Sequence, residues 1–275
     1  MRIASPLAAG KSRLPVCAGR FYPSNAAELR ATVRGLIAAA TVVEGPAPKA
    51  IVAPHAGYAY SGPVAASAHA RFQPARDNIR RVILVGPSHY ANLSGLATSS
   101  ADAFVTPLGP VPLDQEAIAE TRSLPQVIVL DEAHEPEHCL EVQLPFLQMI
   151  VPEFTLVPLL AGDASDEDIA AVLAALWYGP ETRVVVSSDL SHYHAYAQAK
   201  TMDRTTAEII EALRGEQLDG DRACGFRPIR GLLSLARRYR LNPRCLDLRN
   251  SGDTAGGRDR VVGYGAFSFD ESQAK

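Results

Sequence analysis

The sequence predicts an α/β protein with a mostly parallel or mixed central sheet and helices on both faces. Short runs of consecutive apolar residues, rich in β-branched side chains, alternate with longer helical stretches along the chain. Uninterrupted apolar runs suit strands that are buried on both faces. Strands that alternate with helices favour a parallel sheet, because each crossover helix returns the chain to the same edge.

Five runs are predicted to form this sheet, and a sixth is predicted to add a strand at the end of the chain. The five runs are 49–53 (KAIVA), 81–85 (RVILV), 127–130 (VIVL), 154–160 (FTLVPLL) and 183–187 (RVVVS). The sixth run, 260–269 (RVVGYGAFSF), alternates between apolar and small or polar residues and is expected to pair antiparallel.

Seven stretches are predicted to form helices, the first of them with Ser24 or Asn25 as its N-cap. These stretches are 26–40, 62–72, 114–123, 138–150, 165–177, 197–213 and 228–239. No linker is visible between any of these elements, so residues 1–275 are expected to form a single domain.

Composition excludes several classes of function. The net charge of −3 and the scattered basic residues predict no binding to nucleic acid or to an anionic membrane. No stretch approaches the roughly 20 apolar residues of a membrane span. Four widely spaced cysteines predict neither a disulfide framework nor a structural zinc site. A protein of the reducing cytoplasm is therefore expected.

Three predicted strands are each followed by a loop that carries a histidine. His55 follows the first strand, His89 follows the second, and His192 follows the fifth in the segment SSDLSHYH. Ligands of open α/β sheets bind beyond the carboxyl ends of the strands. One such histidine alone is most simply a loop or core residue, but three in the same context predict a metal or catalytic centre.

Histidine and carboxylate ligands together indicate the chemistry of that centre. Neutral imidazole is the commonest protein ligand for metals. Two histidines and one carboxylate form the facial triad of non-haem iron(II) oxygenases. The candidate carboxylates are Asp189, Glu141 and Asp253, the last in a glycine-rich loop before the final strand. An ordinary turn aspartate is the alternative interpretation of Asp253.

Residues 134–138 match the HExxH pattern of zinc peptidases. That pattern works only when both histidines lie on one face of a helix. Pro136 argues against this, because proline suits the first turn of a helix and clashes in its interior. A helix that begins at Pro136 leaves His134 outside it. His138 then lies in the first turn, where it either faces the predicted site or caps the helix.

Six segments, taken in order, resemble the Memo family, which is also called protein B of the AmmeMemoRadiSam system. Each segment alone is weak, but six in the same order are specific, and they span nearly the whole chain. The segments are RLPVCAGRFYP (13–23), PHAGYAYSG (54–62), GPSHY (86–90), EHCLEVQLPFLQ (137–148), SSDLSHY (187–193) and NSGDTAGGRDRVVGY (250–264).

The resemblance implies a fold similar to that of the class III extradiol dioxygenases, which are iron(II) enzymes. By this resemblance, His55 and His89 match the two metal-binding histidines of the family. His192 matches the catalytic histidine, with Asp189 beside it. Iron(II) is the expected metal, with copper or zinc as alternatives.

The third metal ligand is where this chain departs from the family pattern. The animal members resemble one another in using a cysteine in the loop before the last strand. Cys245 lies upstream of that loop here, and Asp253 occupies about the equivalent place. The resemblance therefore implies Asp253 as the third ligand, which restores a two-histidine, one-carboxylate set.

Three functions from different classes stay open at this point. The first is an oxidoreductase in which iron(II) is held by His55, His89 and Asp253. His192 would be the general base, and Asp189 would orient it or hold the substrate. The second is a hydrolase that uses zinc-activated water at the same ligands. The third is a metal-containing binding module for a peptide or a partner protein.

Additional residues and partners complete the prediction. The residues expected to line the site are His138, Glu141, Tyr58, Tyr90 and Tyr193. The expected ligand is an unknown small molecule or peptide. The resemblance implies AMMECR-like and radical SAM proteins as partners.

Overall fold

The computed structural model describes residues 10–40 and 44–271. Within this part of the chain, nine strands form one mixed sheet and three form a smaller sheet. The strands are β1 (Ser12–Arg13), β2 (Ala50–Ala53), β3 (Arg81–Pro87), β4 (Leu96–Thr98), β5 (Ala103–Thr106), β6 (Gly109–Pro112), β7 (Val127–Val129), β8 (Thr155–Ala161), β9 (Thr182–Ser187), β10 (His192–His194), β11 (Asn242–Asn250) and β12 (Val261–Asp270).

Eight α-helices and four short 3₁₀ helices are found in the described residues. The α-helices are α1 (Ala26–Ala38), α2 (Tyr58–His69), α3 (Gln115–Thr121), α4 (Asp131–His134), α5 (Leu144–Ile150), α6 (Asp166–Ala175), α7 (Tyr196–Glu211) and α8 (Phe226–Tyr239). The 3₁₀ helices are Ala70–Ala75, Glu141–Gln143, Gly215–Gln217 and Ser251–Asp253. None of the described helices has the length and apolar character needed to cross a bilayer.

The large sheet has a parallel centre and antiparallel flanks. Its strand order is β10-β12-β2-β9-β3-β8-β4-β7, with β11 paired to β12. Strands β2, β9, β3 and β8 run parallel to one another, whereas β12 is antiparallel to β2 and β4 is antiparallel to β8. The predicted α/β class with a mixed sheet is confirmed, and so is the antiparallel final strand.

Burial explains why the central strands are continuous apolar runs. All four residues of β2 and all six of β9 are buried, so both faces of the sheet are covered. Ile51, Ile83 and Val185 are fully excluded from solvent. Each such side chain stabilises the fold by roughly 1.5–3 kcal/mol relative to full exposure.

The helices pack in two groups. Helix α2 packs on β2, β11 and β12, and it also packs on α1. Helix α8 packs on β3 and β9, and it also packs on α6.

Asn25 caps α1, since its side-chain oxygen accepts hydrogen bonds from the backbone N–H groups of Ala27 and Glu28. The predicted first helix is therefore confirmed, although it ends at Ala38.

The predicted helix over 138–150 begins later than expected. Residues 141–143 form a 3₁₀ turn, and α5 starts at Leu144 with Pro145 in its first turn, where proline is tolerated. His138 consequently lies in the turn before the helix.

Six strands were not predicted, namely β1, β4, β5, β6, β10 and β11.

The topology assembles several loops at one edge of the sheet. Because β2, β3 and β9 are parallel, their carboxyl ends at Ala53, Pro87 and Ser187 lie at the same edge. The loops that follow them carry the histidines singled out in the sequence.

Candidate metal centre

Three imidazole rings converge at the carboxyl edge of the sheet. One ring nitrogen from each of His55, His89 and His138 lies within 4.8 Å of the others. The rings of His89 and His138 are stacked, with centroids 4.8 Å apart, and His55 is edge-on to both. His55 is buried, His89 is exposed and His138 is half-buried. A ligand could therefore reach the group from the side of His89.

His55 is held from behind by a buried hydroxyl. Its Nδ1 lies 2.9 Å from Oγ of Ser187, and its backbone N–H donates to the Asp189 carboxylate at 2.8 Å. Its Nε2 lies 3.3 Å from Sγ of Cys224. The Nε2 side of the ring therefore faces the part of the site that contains Cys224.

One buried carboxylate, that of Glu137, orients the other two imidazoles. Its Oε1 is 2.9 Å from Nδ1 of His89 and 3.2 Å from Nδ1 of His138. The same oxygen accepts the backbone N–H groups of His138 and Cys139, and Oε2 accepts the backbone N–H of His89. A carboxylate only accepts, so Nδ1 of His89 donates, and in the neutral ring the lone pair is on Nε2. Such carboxylate–histidine pairs are typical of metal sites.

The electrostatics of these groups suit a cation. Burial lowers the pKa of the His55 imidazole well below its usual value, and the nearby His89 and His138 lower it further, so His55 is neutral and ligand-competent. Burial alone would raise the pKa of the Glu137 carboxyl. Hydrogen bonds from His138 and His89 outweigh that effect and hold the pKa well below its usual range.

Cys224 brings a sulfur to the same place from a different part of the chain. It lies two residues before α8, next to the N-cap Gly225, whose backbone N–H donates to Oγ of Ser188. Burial raises the pKa of the Cys224 thiol to about 12, and the Asp189 carboxylate adds to that rise. The thiol therefore keeps its proton without a metal, whereas a coordinating thiol is deprotonated.

The histidines open onto a cavity of about 560 Å³. Asp189 and His192 line it together with the three imidazoles and Cys224. Burial raises the pKa of the Asp189 carboxyl above its usual value, although the backbone N–H of His55 opposes that rise. The cavity thus combines metal-ligand chemistry with groups able to move protons.

A bulge in β10 shapes the rim of this cavity. The pairing of β10 with β12 shifts register between His192 and His194, and Tyr193 has a φ of 62°. Bulges re-aim side chains, and a bulky residue in the left-handed region is rare outside constrained sites. Tyr193 is 62% exposed, and His192, Tyr193 and His194 all line the cavity.

Comparison with known proteins places the chain in a family. A family model described as "Memo-like protein" matches residues 13–268. MEMO1 family proteins of Nitrosopumilus maritimus, Sulfolobus acidocaldarius and Aquifex aeolicus are 31%, 34% and 33% identical to it. Each alignment covers 94% of this chain and 98–99% of the relative. The chain belongs to the Memo family. The resemblance seen in its six motifs is confirmed.

The structure places Asp253 of this Memo-family protein outside the imidazole group. Its Oδ2 accepts the backbone N–H of Asn250 at 3.0 Å, and its Oδ1 accepts the hydroxyl of Tyr196 at 2.5 Å. It thereby caps the 3₁₀ turn of its own loop. The residue that joins His55 and His89 in the imidazole group is His138, and Cys224 lies beside His55.

Two other residues expected in the Memo site lie elsewhere. The carboxylate of Glu141 is buried in an ion pair with Arg13 and also accepts the hydroxyl of Tyr22. Tyr58 is buried, and its hydroxyl donates to the carbonyl oxygen of Val142. Glu141 therefore ties residues 13–22 to the turn before α5, and Tyr58 ties α2 to the same turn. In contrast, Tyr90 is 61% exposed, and its hydroxyl lies 3.5 Å from Nδ1 of His138.

The zinc-peptidase pattern at 134–138 does not form a metal site in this fold. His134 ends the one-turn helix α4 and is buried, with its Nε2 3.2 Å from the carbonyl oxygen of Ala97.

A second group of possible metal donors, His89 with Glu137 and Cys139, overlaps the group of three imidazoles. Because the Glu137 oxygens already accept several N–H groups, the group of three imidazoles is the better cation site.

The sequence did not single out Glu137, Ser187 or Cys224. Glu137 stands in an acidic stretch that resembles a solvated surface, and Ser187 is the last residue of an apolar strand. Cys224 lies in a connection between two helices, for which strand order gives no rule. The segments EHCLEVQ and SSD within the family motifs were the available signal for the first two.

Proposed function

We propose that this Memo-family protein is a metal-dependent oxidoreductase of the dioxygenase type, with iron(II) as its metal. The observation that supports this is the imidazole group at the cavity, in which Nδ1 of His55 and Nδ1 of His89 are each held by a buried partner. Their Nε2 atoms are thereby left for a cation. Imidazole ligands suit iron, zinc and copper.

The donor set fits a divalent transition metal. His55 and His89 would hold the metal, and His138 or Cys224 would complete the set. Bound iron(II) would supply redox and Lewis-acid chemistry at a substrate oxygen. The cavity of about 560 Å³ lies within the range of pockets that hold small molecules.

The remaining polar groups of the cavity would handle protons. His192 would accept the proton of a substrate hydroxyl, which is the role of a general base. Asp189 lies at the same cavity and is fixed by the backbone of His55. It would orient the substrate or the imidazole of His192. The exposed rings of Tyr90 and Tyr193 would flank a planar substrate.

A second candidate function is supported by Cys224. Thiolate ligands favour zinc and copper(I) over iron(II). Zinc held by His55, His89 and Cys224 would leave a position for water, and the protein would then act as a hydrolase.

The predicted cytoplasmic location and the partnership with AMMECR-like and radical SAM proteins stay predictions from the sequence.

The test is oxygen uptake by protein loaded anaerobically with iron(II) and supplied with a panel of small ortho-dihydroxy aromatic compounds. We expect uptake by the wild type, loss of uptake in His192→Gln with metal retained, and normal uptake in the buried control His134→Gln. Unchanged uptake in His192→Gln would refute the proposed base. Ester hydrolysis by zinc-loaded protein without oxygen would favour the second candidate, and full metal loading without turnover would favour a binding role.

A further inference from the structure

A buried chain of hydrogen bonds runs from His69 in helix α2 to His55. Nε2 of His69 lies 2.7 Å from Oε1 of Gln143, and Nε2 of Gln143 lies 2.8 Å from Oγ of Ser187. Oγ of Ser187 in turn lies 2.9 Å from Nδ1 of His55. None of these four side chains is more than 2% exposed. The chain therefore operates without competition from bulk water.

Ser187 fixes the direction of the last link. A hydroxyl has one proton to donate and two lone pairs with which to accept. Oγ of Ser187 lies 2.7 Å from the carbonyl oxygen of Cys139, which only accepts, so the single hydroxyl proton points there. Both lone pairs of Ser187 must then accept, and Nδ1 of His55 must carry a proton.

Gln143 fixes the direction of the middle link. Its Nε2 lies 2.9 Å from the carbonyl oxygen of Pro54 and 3.4 Å from that of Ala53. A flipped amide would put its oxygen against these two carbonyl oxygens, with no proton between them. The NH₂ group therefore faces Pro54 and Ser187, and the amide oxygen faces His69.

His69 supports that amide orientation from the far end. The oxygen of Gln143 only accepts, so Nε2 of His69 must donate. Burial lowers the pKa of the His69 imidazole to about 4, so it is neutral at neutral pH. The ring is also stacked on Phe146, with centroids 5.2 Å apart. Packing and charge state together hold the start of the chain in one form.

We infer that Ser187 and Gln143 are positioning residues that fix the Nδ1–H tautomer of His55 and so present its Nε2 lone pair to the metal cavity. Neither side chain would touch the metal. The inference rests on the proposed metal-binding function for its use, but the tautomer is a property of the metal-free chain. Loss of a partner that orients a ligand typically weakens metal affinity 10–100-fold.

Ser187→Ala removes the acceptor of Nδ1 while changing one atom of a buried strand. With no acceptor at Nδ1, the Nε2–H tautomer of His55 gains a partner in the sulfur of Cys224. The matched control is Ser268→Ala, since Ser268 is also fully buried on a strand and its hydroxyl donates to Asp270. A general effect of removing a buried serine would appear in both variants.

The experiment records long-range ¹H–¹⁵N spectra of the metal-free full-length chain labelled at histidine, followed by competition titration with zinc(II). We expect the His55 proton on Nδ1 in the wild type and in Ser268→Ala. In Ser187→Ala we expect a shift toward the Nε2–H form and zinc affinity about 10–100-fold weaker.

Two results would overturn the inference. One is a wild-type His55 that carries its proton on Nε2. The other is Ser187→Ala with the wild-type tautomer and the wild-type zinc affinity. Failure of the proposed function is distinguishable, because a wild type that binds no zinc, iron or copper still yields the tautomer.

Discussion

Nε2 of His55 lies 3.3 Å from Sγ of Cys224, although the two residues are 169 positions apart in the sequence. Burial raises the pKa of the thiol to about 12, so the thiol is protonated in the metal-free protein. With the proton of His55 on Nδ1, the S–H group can donate to Nε2. A cation that binds Nε2 would take the place of that proton. The contact thus marks where a metal would gain a sulfur ligand.

The first prediction concerns this sulfur. Protein loaded with cobalt(II) is expected to show a near-ultraviolet sulfur-to-cobalt charge-transfer band, and Cys224→Ser is expected to lose it. Cys245→Ser, at a half-buried cysteine on β11, serves as the control and should retain the band. A cobalt spectrum that does not change in Cys224→Ser would show that the sulfur is not a ligand.

The second prediction concerns the shared carboxylate. Glu137→Gln removes the negative charge that faces Nδ1 of both His89 and His138. We expect zinc affinity to fall about 10–100-fold, as for other partners of metal-ligating histidines. Glu135→Gln, at the exposed neighbouring glutamate, should bind zinc like the wild type. Equal affinities in the two variants would contradict the role of Glu137.

The third prediction compares two glycines. A Cβ atom at Gly86 would lie 2.6 Å from Sγ of Cys139 and 3.1 Å from Cδ2 of Leu140, both in the core. Gly86→Ala should therefore lower the free energy of unfolding by about 1–3 kcal/mol. Gly35 lies in α1 with no atom within 4 Å of an added Cβ, so Gly35→Ala should raise it by up to about 1 kcal/mol. Urea denaturation measures the free energy of unfolding of both variants, and changes of the same sign in the two would contradict the packing argument.

The fourth prediction concerns stability against pH. Burial lowers the pKa of His69 and of His134 to about 4, against about 6.5 in an unfolded chain. Between these values the unfolded state binds more protons, so acid favours unfolding. Above about pH 6.5 these two histidines leave the free energy of unfolding unchanged. As the pH falls toward 4, each lowers the free energy of unfolding by up to about 1.4 kcal/mol per pH unit.

His134→Gln tests this linkage, because a glutamine NH₂ group can still donate to the carbonyl oxygen of Ala97. Urea denaturation of the variant should show a smaller loss of stability between pH 6.5 and 4.5 than the wild type. Above pH 7.5 both histidines are neutral in both states, so that range is the control. An unchanged acid slope in His134→Gln would refute the assigned protonation.

The sequence could predict the central sheet because its strands are buried on both faces and therefore continuous in apolar residues. It could not predict β11, because the exposed Arg244 and the half-exposed Asp247 and Arg249 resemble a solvated loop. Strands of two to four residues, such as β1 and β10, could not be predicted either. Their pairing depends on partners that are distant in the sequence.

The sequence could also predict that His55 and His89 meet, because both follow parallel strands and such strands end at one edge. It also predicted Asp253 as a ligand, because its loop precedes the antiparallel β12 and so reaches the same edge. The carboxylate is turned away there by Tyr196 and the backbone of Asn250. The approach of Cys224 depends on how α8 packs on the sheet, and no local pattern encodes that contact.

The measurement that tests the central claim most directly is the metal content of protein purified without oxygen and without a metal-affinity tag. The variants to compare with the wild type are His55→Ala and Asp253→Ala. The site built on three imidazoles predicts near-stoichiometric transition metal in the wild type and in Asp253→Ala, and its loss in His55→Ala. Metal retained in His55→Ala, or lost in Asp253→Ala with the fold intact, would contradict it.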